Sequence, residues 1–397
     1  MTTMETASMN DVVIVSCVRS AVARGKADGA LATVHPVDLS ATVMRAAIER
    51  AGIDPARVDD VQWGCAMPEA SQGLNHARLA WLRAGFPVET SAATVNRFCS
   101  SGLQAVAYGA QAIIAGHADV VLAGGIEMMS QVPMSGYHTR LSPEITEHYI
   151  GMGFTAERGA TRWGITRQMA DDFAYASQQK AGAALASGVF APEIVPVTVQ
   201  RDVWDGARRT VSERVVNTDE CPRPETTREA LSALRPAFSA RGTVTAGNAS
   251  PYSDGAAAVL VMRRQVANEL GLTPLARFVT FATAGVSPDI MGVGPIHAIP
   301  KALARAGLSL GDIDLVELNE AFAAQALAVM QELGMDADRT NVNGGAIALG
   351  HPLGATGAKL TTQLVHELRR RGGGMGLVTM CIGGGMGAAG VFEVYAD

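Results

Sequence analysis

The sequence predicts an α/β protein made of two similar halves, with a further lobe inserted into the first half. Three observations support this fold class: apolar segments alternate with helical ones, a set of motifs recurs, and one copy of the recurring set is interrupted. The composition agrees, because 48% of the 397 residues are hydrophobic, 18% are charged, and the 43 glycines are scattered. A chain of this length buries a large core and forms two or three domains.

The recurring motifs are separated by a constant offset. The segment around Gly52 reappears around Gly307, 255 residues later, and residues 101–105 are matched by residues 356–360 at the same offset. Self-similarity at a fixed spacing indicates a duplicated architecture.

Each copy shows the same alternation of strands and helices. Short apolar segments predict buried strands, and glycine after a helical segment predicts a C-terminal cap at Gly52 and Gly307. The order implies two βαβ-type layers on mixed, largely buried sheets. The predicted strands are 12–17, 120–123, 277–281 and 377–381, and the predicted helices are 39–50, 101–115, 299–305 and 355–371.

An insertion interrupts the first copy. Gly125 and Asp254 lie 129 positions apart, whereas their counterparts in the second copy, Gly385 and Met386, are adjacent. Repeats tolerate additions in loops on one face, so the inserted lobe is a natural place for substrate contacts, and it contains a predicted amphipathic helix at 167–187. The predicted domains are 11–125 with 247–272 (first half), 126–246 (inserted lobe) and 273–397 (second half).

Charge and composition argue against several functional classes. A formal charge of −6 and a pI near 5.8 provide no basic face for nucleic acid. No apolar run is long enough for a membrane span, and a cytoplasmic location is expected. The five cysteines show no CxxC spacing and there is no histidine cluster, so reduced thiols and no metal are expected. No phosphate-binding loop or GxGxxG fingerprint supports nucleotide hydrolysis or NAD binding.

Cys99 is the first candidate for chemistry. It lies where a strand-like stretch turns directly into a helix, and free N–H groups at a helix N-terminus stabilise a thiolate. We therefore expect a lowered pKa and a nucleophilic sulfur, with the same N–H groups able to hold an oxyanion. The alternative is a small, buried core residue.

Three further polar residues are candidates for chemistry. His351 lies among glycines and alanines at the junction that the duplication relates to Cys99, which predicts that imidazole and thiol meet near a pseudo-twofold axis. Cys381 ends a predicted strand and is a candidate proton donor or acceptor. Asn319 also follows a strand and is a candidate for orienting a water or an oxyanion. Capping or core roles are the alternatives for all three.

Five segments follow one another along the chain: NRFCSSGLQA (96–105), GNAS (247–250), NEAF (319–322), GHPLGATG (350–357) and CIGGGMG (381–387). In this order they resemble the signatures of the thiolase family, and the resemblance extends from about Val12 to Val394. The family implies two βαβαβαββ halves in a five-layer α-β-α-β-α sandwich with an inserted loop domain.

The resemblance implies a role for each matching residue. Cys99 matches the acylated nucleophile, His351 its activating base, and Cys381 the residue that moves a proton on the acetyl-CoA carbon. Asn319 with His351 matches one oxyanion hole, and the N–H groups of Cys99 and Gly383 match the other. The matches for substrate and CoA contacts in the family are Ser250, Arg223, Met152 and Phe322.

The implied activity is that of a 3-ketoacyl-CoA thiolase, with CoA as a substrate, no bound cofactor, and a homodimer or homotetramer as the assembly. Residues 220–227 resemble the degradative branch, and Gly151 replaces a histidine of short-chain biosynthetic relatives, which implies a roomier acyl pocket. The pair Pro251-Tyr252 is unusual for the family. The alternatives are an acetoacetyl-CoA thiolase in the condensing direction, a non-catalytic acyl-CoA-binding protein, and a condensing enzyme fed by a carrier protein.

Overall fold

The computed structural model describes residues 8–133 and 140–396. No helix within those ranges is long and apolar enough to cross a membrane. The strands are β1 Val12–Ser20, β2 Ala23–Arg24, β3 Asp60–Cys65, β4 Ser91–Val95, β5 Val120–Met128, β6 Ile194–Val195, β7 Val197–Asp205, β8 Arg208–Val216, β9 Ser253–Arg263, β10 Ala276–Gly285, β11 Leu315–Leu318, β12 Gly374–Ile382 and β13 Met386–Val394. The helices are α1 Pro36–Ala51, α2 His76–Arg83, α3 Ser101–Ile114, α4 Met152–Trp163, α5 Arg167–Ser187, α6 Arg228–Ser232, α7 Arg264–Glu269, α8 Gly294–Ala306, α9 Ala323–Leu333, α10 Ala346–Leu349 and α11 Leu353–Arg370.

The local signals in the sequence determine most of these boundaries. Gly52 and Gly307 adopt φ of 69° and 67° and end α1 and α8, as predicted for left-handed C-caps. α5 spans the predicted range, 167–187. The predicted strands were too short, because β1, β5, β10 and β12 each continue beyond the apolar segment that signals them.

The two halves share one strand order, which confirms the duplication. In the first half the order is β4-β3-β5-β9-β1, and in the second it is β11-β12-β13-β10. In the first half β4 lies beside β3. At the equivalent place beside β11, the second half has an isolated parallel bridge between Thr340 and Val316. Antiparallel pairing of β1 with β10, at Val13 and Arg277, joins the halves into one sheet of 11 strands.

Helices cover both faces of each half-sheet, giving the predicted five layers. One core lies between α1, α2 and the outer face of the first half-sheet. The middle core holds α3 and α11 between the two half-sheets. The third lies between the second half-sheet and the pair α8 and α9. Sheets buried on both faces require continuous apolar strands, and all nine residues of β5 are buried.

The inserted lobe follows β5, which continues to Met128, and ends before β9, which begins at Ser253. Gly125 pairs with Ala257 of β9, and Thr379 pairs with Ala389 at the equivalent position of β13, so the expected match of Gly125 to Gly385 was wrong and its counterpart is Thr379. It contains α4, α5, the hairpin of β7 and β8, and α6. The domain boundaries stated above stay a prediction.

A buried ion cluster ties the lobe to the first strand. Arg19 of β1 donates from Nε to Glu193 at 2.6 Å and from both terminal nitrogens to Asp219 at 2.7 and 2.9 Å. All three side chains are buried. A bidentate arginine held by two carboxylates satisfies charges that would otherwise be costly inside the protein.

Arg19→Ala is expected to destabilise the protein by about 3–5 kcal/mol, because Glu193 and Asp219 would stay buried without their cation. Urea denaturation monitored by circular dichroism measures the loss. The control is Arg209→Ala, whose partner Asp202 lies at 2.8 Å on the surface; removing an exposed pair changes stability by less than about 1 kcal/mol. Equal stability of the two variants would contradict the proposed anchoring role of Arg19.

Candidate functional site

A tight turn presents Cys99 at the N-terminus of α3. Residues Phe98–Ser100 form a single 3₁₀ turn, and Phe98 adopts φ of +43°, which costs a residue with a side chain about 1–3 kcal/mol. Ser101 Oγ holds the turn closed by donating to the carbonyl of Phe98 at 2.7 Å and accepting the N–H of Arg97 at 2.9 Å. The strained turn is thus fixed by the first residue of the helix that follows.

The environment of Cys99 opposes ionisation in the free chain. Burial raises the pKa of the Cys99 thiol to about 11, although the N–H groups of Gly383 and of Cys99 itself lower it. The expected lowering was therefore wrong in direction, because desolvation outweighs the backbone donors. The Gly383 N–H, which the resemblance assigns to an oxyanion hole, lies within hydrogen-bonding distance of the Cys99 sulfur. Cys99 rests as a neutral thiol and needs a base in order to react.

Cys381 lies beside Cys99 near the end of β12. It is fully buried and packs with Met291, Ala321 and Phe322. Burial and the neighbouring Cys99 raise the pKa of Cys381 well above its ordinary value. A neutral thiol next to another thiol is suited to delivering or receiving a proton.

Asn319 links the second half-sheet to the histidine. β11 pairs in parallel with β12, and the Asn319 N–H donates to the carbonyl of Thr379 at 2.9 Å, two residues before Cys381. Its Nδ2 lies 3.3 Å from His351 Nε2. Its Oδ1 is buried and has no hydrogen-bond partner among the residues described, which leaves an acceptor for a ligand or a water.

The hydrogen bonds of His351 define its tautomer. Nδ1 lies 2.6 Å from Thr356 Oγ1, and that hydroxyl donates its one hydrogen to the Pro352 carbonyl at 3.0 Å. Oγ1 must therefore accept the hydrogen of Nδ1, which leaves the lone pair on Nε2. Burial and the charge of Lys359 lower the pKa of His351 to about 3. The neutral imidazole presents a basic nitrogen next to Asn319.

The two helix junctions meet, as the duplication predicted. The first turn of α11 packs against the Phe98–Ser100 turn and against α3. A Cβ on Gly102 would lie 2.9 Å from the carbonyl oxygen of Gly354 and 2.7 Å from the N of Ala358, so only glycine fits at this crossing. Cys99 and His351 thus stand at the N-terminal ends of two helices in contact.

Apolar side chains form the walls beside Gly383. A Cβ there would lie 3.6 Å from Met152 Sδ and 3.7 Å from a ring carbon of Phe98. Phe322 continues into a row of edge-to-face rings, with centroids 6.5 Å from Phe322 to Phe238 and 5.8 Å from Phe238 to Phe154. The surroundings suit an acyl chain more than a charged group.

The other two predicted contact residues lie farther from the thiols. Ser250 donates from its N and its Oγ to the carbonyl of Ala321, which places it next to Phe322. Arg223 is exposed on the lobe, and its N–H donates to Gln178 Oε1 at 2.7 Å. No contact in the described ranges joins Arg223 to the cysteines.

The comparisons with known proteins identify the family of the chain. The family models described as "Thiolase, N-terminal domain" and "Thiolase, C-terminal domain" match residues 12–265 and 272–394. The chain belongs to the thiolase family. It is an acyltransferase, and the family acts on acyl-CoA and CoA.

The relatives of this thiolase have two different names. A Bacillus subtilis 3-ketoacyl-CoA thiolase is 54% identical, over 97% of this chain and 100% of the relative, and an Escherichia coli acetyl-CoA acetyltransferase is 49% identical, over 97% and 99%. A crystal structure of human mitochondrial 3-ketoacyl-CoA thiolase has a TM-score of 0.89 at 41% identity, covering 98% of this chain and 100% of that one. A crystal structure of a Bacillus anthracis acetyl-CoA acetyltransferase has a TM-score of 0.88 at 42% identity, with the same coverage.

The structure adds three residues that the sequence analysis did not single out. Thr356 fixes the histidine tautomer, and Ser253 Oγ accepts the N–H of His351 at 3.1 Å. Glu127 is a buried carboxylate that accepts the N–H of Gly354 in the first turn of α11. Thr356 lies inside a quoted motif, and Glu127 is a lone charge in an apolar strand, so both were visible as signals. In the residues that the structure describes, no group of His, Cys, Asp and Glu could hold a metal ion.

Thr356→Val is expected to reduce turnover of this thiolase by about 5- to 100-fold, because His351 Nδ1 would lose its buried acceptor and the tautomer would no longer be fixed. Steady-state kinetics measure the effect. Thr361→Val is the matched control, since the Thr361 hydroxyl is also buried on α11 and, among the residues that the structure describes, donates to the Gly357 carbonyl alone. Similar turnover in the two variants would show that the Thr356 hydroxyl does not orient His351.

Proposed function

We propose that this thiolase is a 3-ketoacyl-CoA thiolase, which cleaves a 3-ketoacyl-CoA with CoA to acetyl-CoA and a shortened acyl-CoA through an acyl-enzyme on Cys99. The observation that carries the proposal is the grouping of Cys99, Cys381 and the Gly383 N–H at one helix terminus, with the Asn319–His351 pair in the adjoining segments. This grouping supplies a nucleophile, a base, a proton carrier and two sets of donors.

In the first half-reaction, His351 Nε2 takes the proton of the Cys99 thiol as the sulfur attacks the 3-keto carbon. A base is required because burial keeps Cys99 neutral at rest. The N–H groups of Cys99 and Gly383 stabilise the oxyanion of the tetrahedral intermediate. The bond between carbons 2 and 3 then breaks, and its electron pair leaves with the acetyl-CoA fragment.

Cys381 then gives its thiol proton to carbon 2 of the fragment, which leaves as acetyl-CoA. While charge resides on the thioester oxygen of the fragment, Asn319 and His351 stabilise it. In the second half-reaction CoA enters as a thiol, and its sulfur takes the acyl group from Cys99. The thiol proton of CoA passes to the Cys381 thiolate, and the Cys99 sulfur takes back the proton held by His351 as it leaves the acyl carbon, so both cysteines are restored and the cycle is ping-pong.

The choice of the 3-ketoacyl-CoA branch rests on the acyl pocket and on residues 220–227. Gly151 contributes no side chain at the start of α4, where Met152 and Phe154 form apolar walls. The relative that is 54% identical is named 3-ketoacyl-CoA thiolase. The second candidate is an acetoacetyl-CoA thiolase working in the condensing direction, and the names of other relatives favour it.

The proposal assigns CoA to the lobe side of the site. Ser250, next to Phe322, would lie along the pantetheine arm, and the exposed Arg223 would meet the phosphates of the nucleotide end. Assembly of identical subunits is also part of the proposal. β4 is the outermost strand of its half-sheet, and the nearby side chains of Leu74, Leu82 and Val88 are exposed. A cytoplasmic location stays a prediction.

Cys99 and Cys381 are expected to behave differently when the enzyme is exposed to substrate, since Cys99 forms a covalent bond and Cys381 transfers a proton. With a 3-ketoacyl-CoA and no free CoA, the peptide containing Cys99 should gain the acyl mass, because attack releases acetyl-CoA before the second substrate arrives. Cys99→Ala should lose both the adduct and turnover. Cys381→Ala should lose about 10²- to 10⁴-fold in turnover yet still accept acetyl from acetyl-CoA on Cys99, because thioester exchange needs no proton on carbon.

Digestion and mass spectrometry of the wild type and both variants measure these outcomes. Acetyl on Cys381 instead of Cys99 in the wild type would overturn the proposed roles. So would an unacetylated Cys99 in folded Cys381→Ala. A non-catalytic acyl-CoA-binding protein would show no adduct at all.

Gly151→His is expected to restrict the acyl pocket and so separate the two candidate functions. The wild type should use 3-ketooctanoyl-CoA at least as well as acetoacetyl-CoA, whereas the variant should lose about 10-fold or more of kcat/KM for the longer substrate only. A Cβ at Gly151 would lie 3.3 Å from the ring of Phe154, which must shift slightly and can do so because it is exposed. Gly159→Ala on the same helix is the control, because a Cβ there meets nothing within 4 Å. Wild-type activity confined to acetoacetyl-CoA would favour the second candidate.

A further inference from the structure

Glu127 occupies, in the first half, the place that Cys381 occupies in the second. Glu127 pairs with Gly255 across β5 and β9, and Cys381 pairs with Gly387 across β12 and β13. The two residues are 254 positions apart, which is the spacing of the duplication to within one residue. Equivalent strand ends therefore carry a carboxylate in one half and the second thiol in the other.

The Glu127 carboxylate is completely buried and surrounded by hydrogen-bond donors. Oε2 accepts the N–H groups of Ala66 and Gly354, each at 2.9 Å. Oε1 accepts Gln72 Nε2 at 2.8 Å and the N–H of Met67 at 3.2 Å. Burial raises the pKa of the Glu127 carboxyl above its ordinary value, and the hydrogen bonds from Gln72, Ala66, Gly354 and Met67 act in the opposite direction. A protonated carboxyl would direct its own hydrogen at one of these donors, so only the ionised form accepts all four hydrogen bonds.

These contacts cross the boundary between the halves. Ala66 and Met67 follow β3 of the first half, whereas Gly354 is the second residue of α11 and lies three residues after His351. A carboxylate at a helix N-terminus also interacts favourably with the helix dipole. Glu127 thus fastens the turn that carries His351, and its partner Thr356, to the half that carries Cys99.

We propose that Glu127 is a positioning residue for the thiolase reaction: its carboxylate fixes the first turn of α11 relative to Cys99 and, when ionised, places a negative charge on the same side of the site. The proposal rests on the proposed role of Cys99 as nucleophile. It explains why a strand that is otherwise apolar carries a carboxylate at this point.

A negative charge on Glu127 also affects the pKa of Cys99, which fixation of α11 alone would not change. The Glu127 carboxylate acts in the same direction as burial and raises the pKa of Cys99, whereas the N–H groups of Gly383 and Cys99 lower it. The other titratable groups around Cys99 are Cys381 on β12 and the neutral His351 before α11, and the guanidinium of Arg97 is engaged with Gln104 Oε1 at 2.7 Å. Glu127 is the one carboxylate among these described neighbours.

The test uses the full chain with Glu127→Gln, Glu127→Asp and the control Asp59→Asn. Asp59 also accepts two backbone N–H groups, those of Asp119 and Val120, but at the opposite end of β5. Two quantities are measured: steady-state kcat and KM, and the rate of Cys99 alkylation by iodoacetamide between pH 7 and 11, read by mass spectrometry. The alkylation arm needs no acyl transfer.

Glu127→Gln is expected to lower kcat about 10- to 100-fold with KM for CoA within about twofold, because one backbone N–H would face the amide nitrogen. At pH 8 its Cys99 should be alkylated about threefold faster or more, with the rates converging near pH 11, since loss of the charge favours the thiolate. A loosened site would instead raise the rate equally at every pH. Glu127→Asp should lose turnover and keep the wild-type alkylation profile, because the charge remains and the reach is shorter.

Wild-type turnover in Glu127→Gln, or an unchanged alkylation profile in that variant, would overturn the proposal. If Glu127→Gln does not fold, Glu127→Asp tests whether the reaction depends on the position of the carboxylate. Full turnover in Glu127→Asp would overturn the proposed positioning role. A wild type that forms no acyl adduct on Cys99 would instead reject the proposed function, while the alkylation profiles would still report on the charge. Asp59→Asn should match the wild type in both measurements.

Discussion

The close crossing of α3 and α11 is the constraint on which the rest of the structure depends. A Cβ on Gly357 would lie 2.1 Å from the N of Leu103, and one on Gly125 would lie 2.1 Å from the carbonyl oxygen of Gly354. The helices therefore pack at backbone distance, which brings their N-termini together between the two half-sheets. Because Cys99 precedes α3 and His351 precedes α11, the same contact that closes the middle layer also assembles the site.

The duplication places pairs of equivalent positions at this crossing, and the two members of each pair carry chemically different residues. Cys99 corresponds to Gly354 at an offset of 255, and Cys381 corresponds to Glu127 at 254. One position has a thiol pair at a helix N-terminus, and the other has a carboxylate that accepts the N–H of a glycine. One half of the crossing is therefore available for reaction while the other holds the helices in place. The lobe is inserted in the first half alone and so adds to this asymmetry.

The sequence predicted the duplication, the splice and the main helices because each depends on local signals such as Gly52 and Gly307. It also predicted that the junctions carrying Cys99 and His351 meet, since the repeat relates their positions, and α11 does pack against the Phe98–Ser100 turn. The predicted shift in the pKa of Cys99 was wrong in direction. The degree of burial depends on packing from both halves, and no local sequence pattern indicates it. Glu127 and Thr356 were missed as partners because their contacts join segments whose pairing only the fold defines.

The electrostatics of the site follow from its position in the middle layer. Burial raises the pKa of both thiols and lowers that of His351, so the cysteine, the base and the proton carrier are all neutral at rest. A neutral site avoids the desolvation cost of an ion pair, and it leaves the N–H groups of Cys99 and Gly383 to act on charge that develops during reaction. A negative charge on Glu127 acts in the same direction as burial and raises the pKa of the Cys99 thiol further. Charge then appears only when a substrate supplies the carbonyl oxygen that receives it, which limits unproductive reaction of the thiol with other electrophiles.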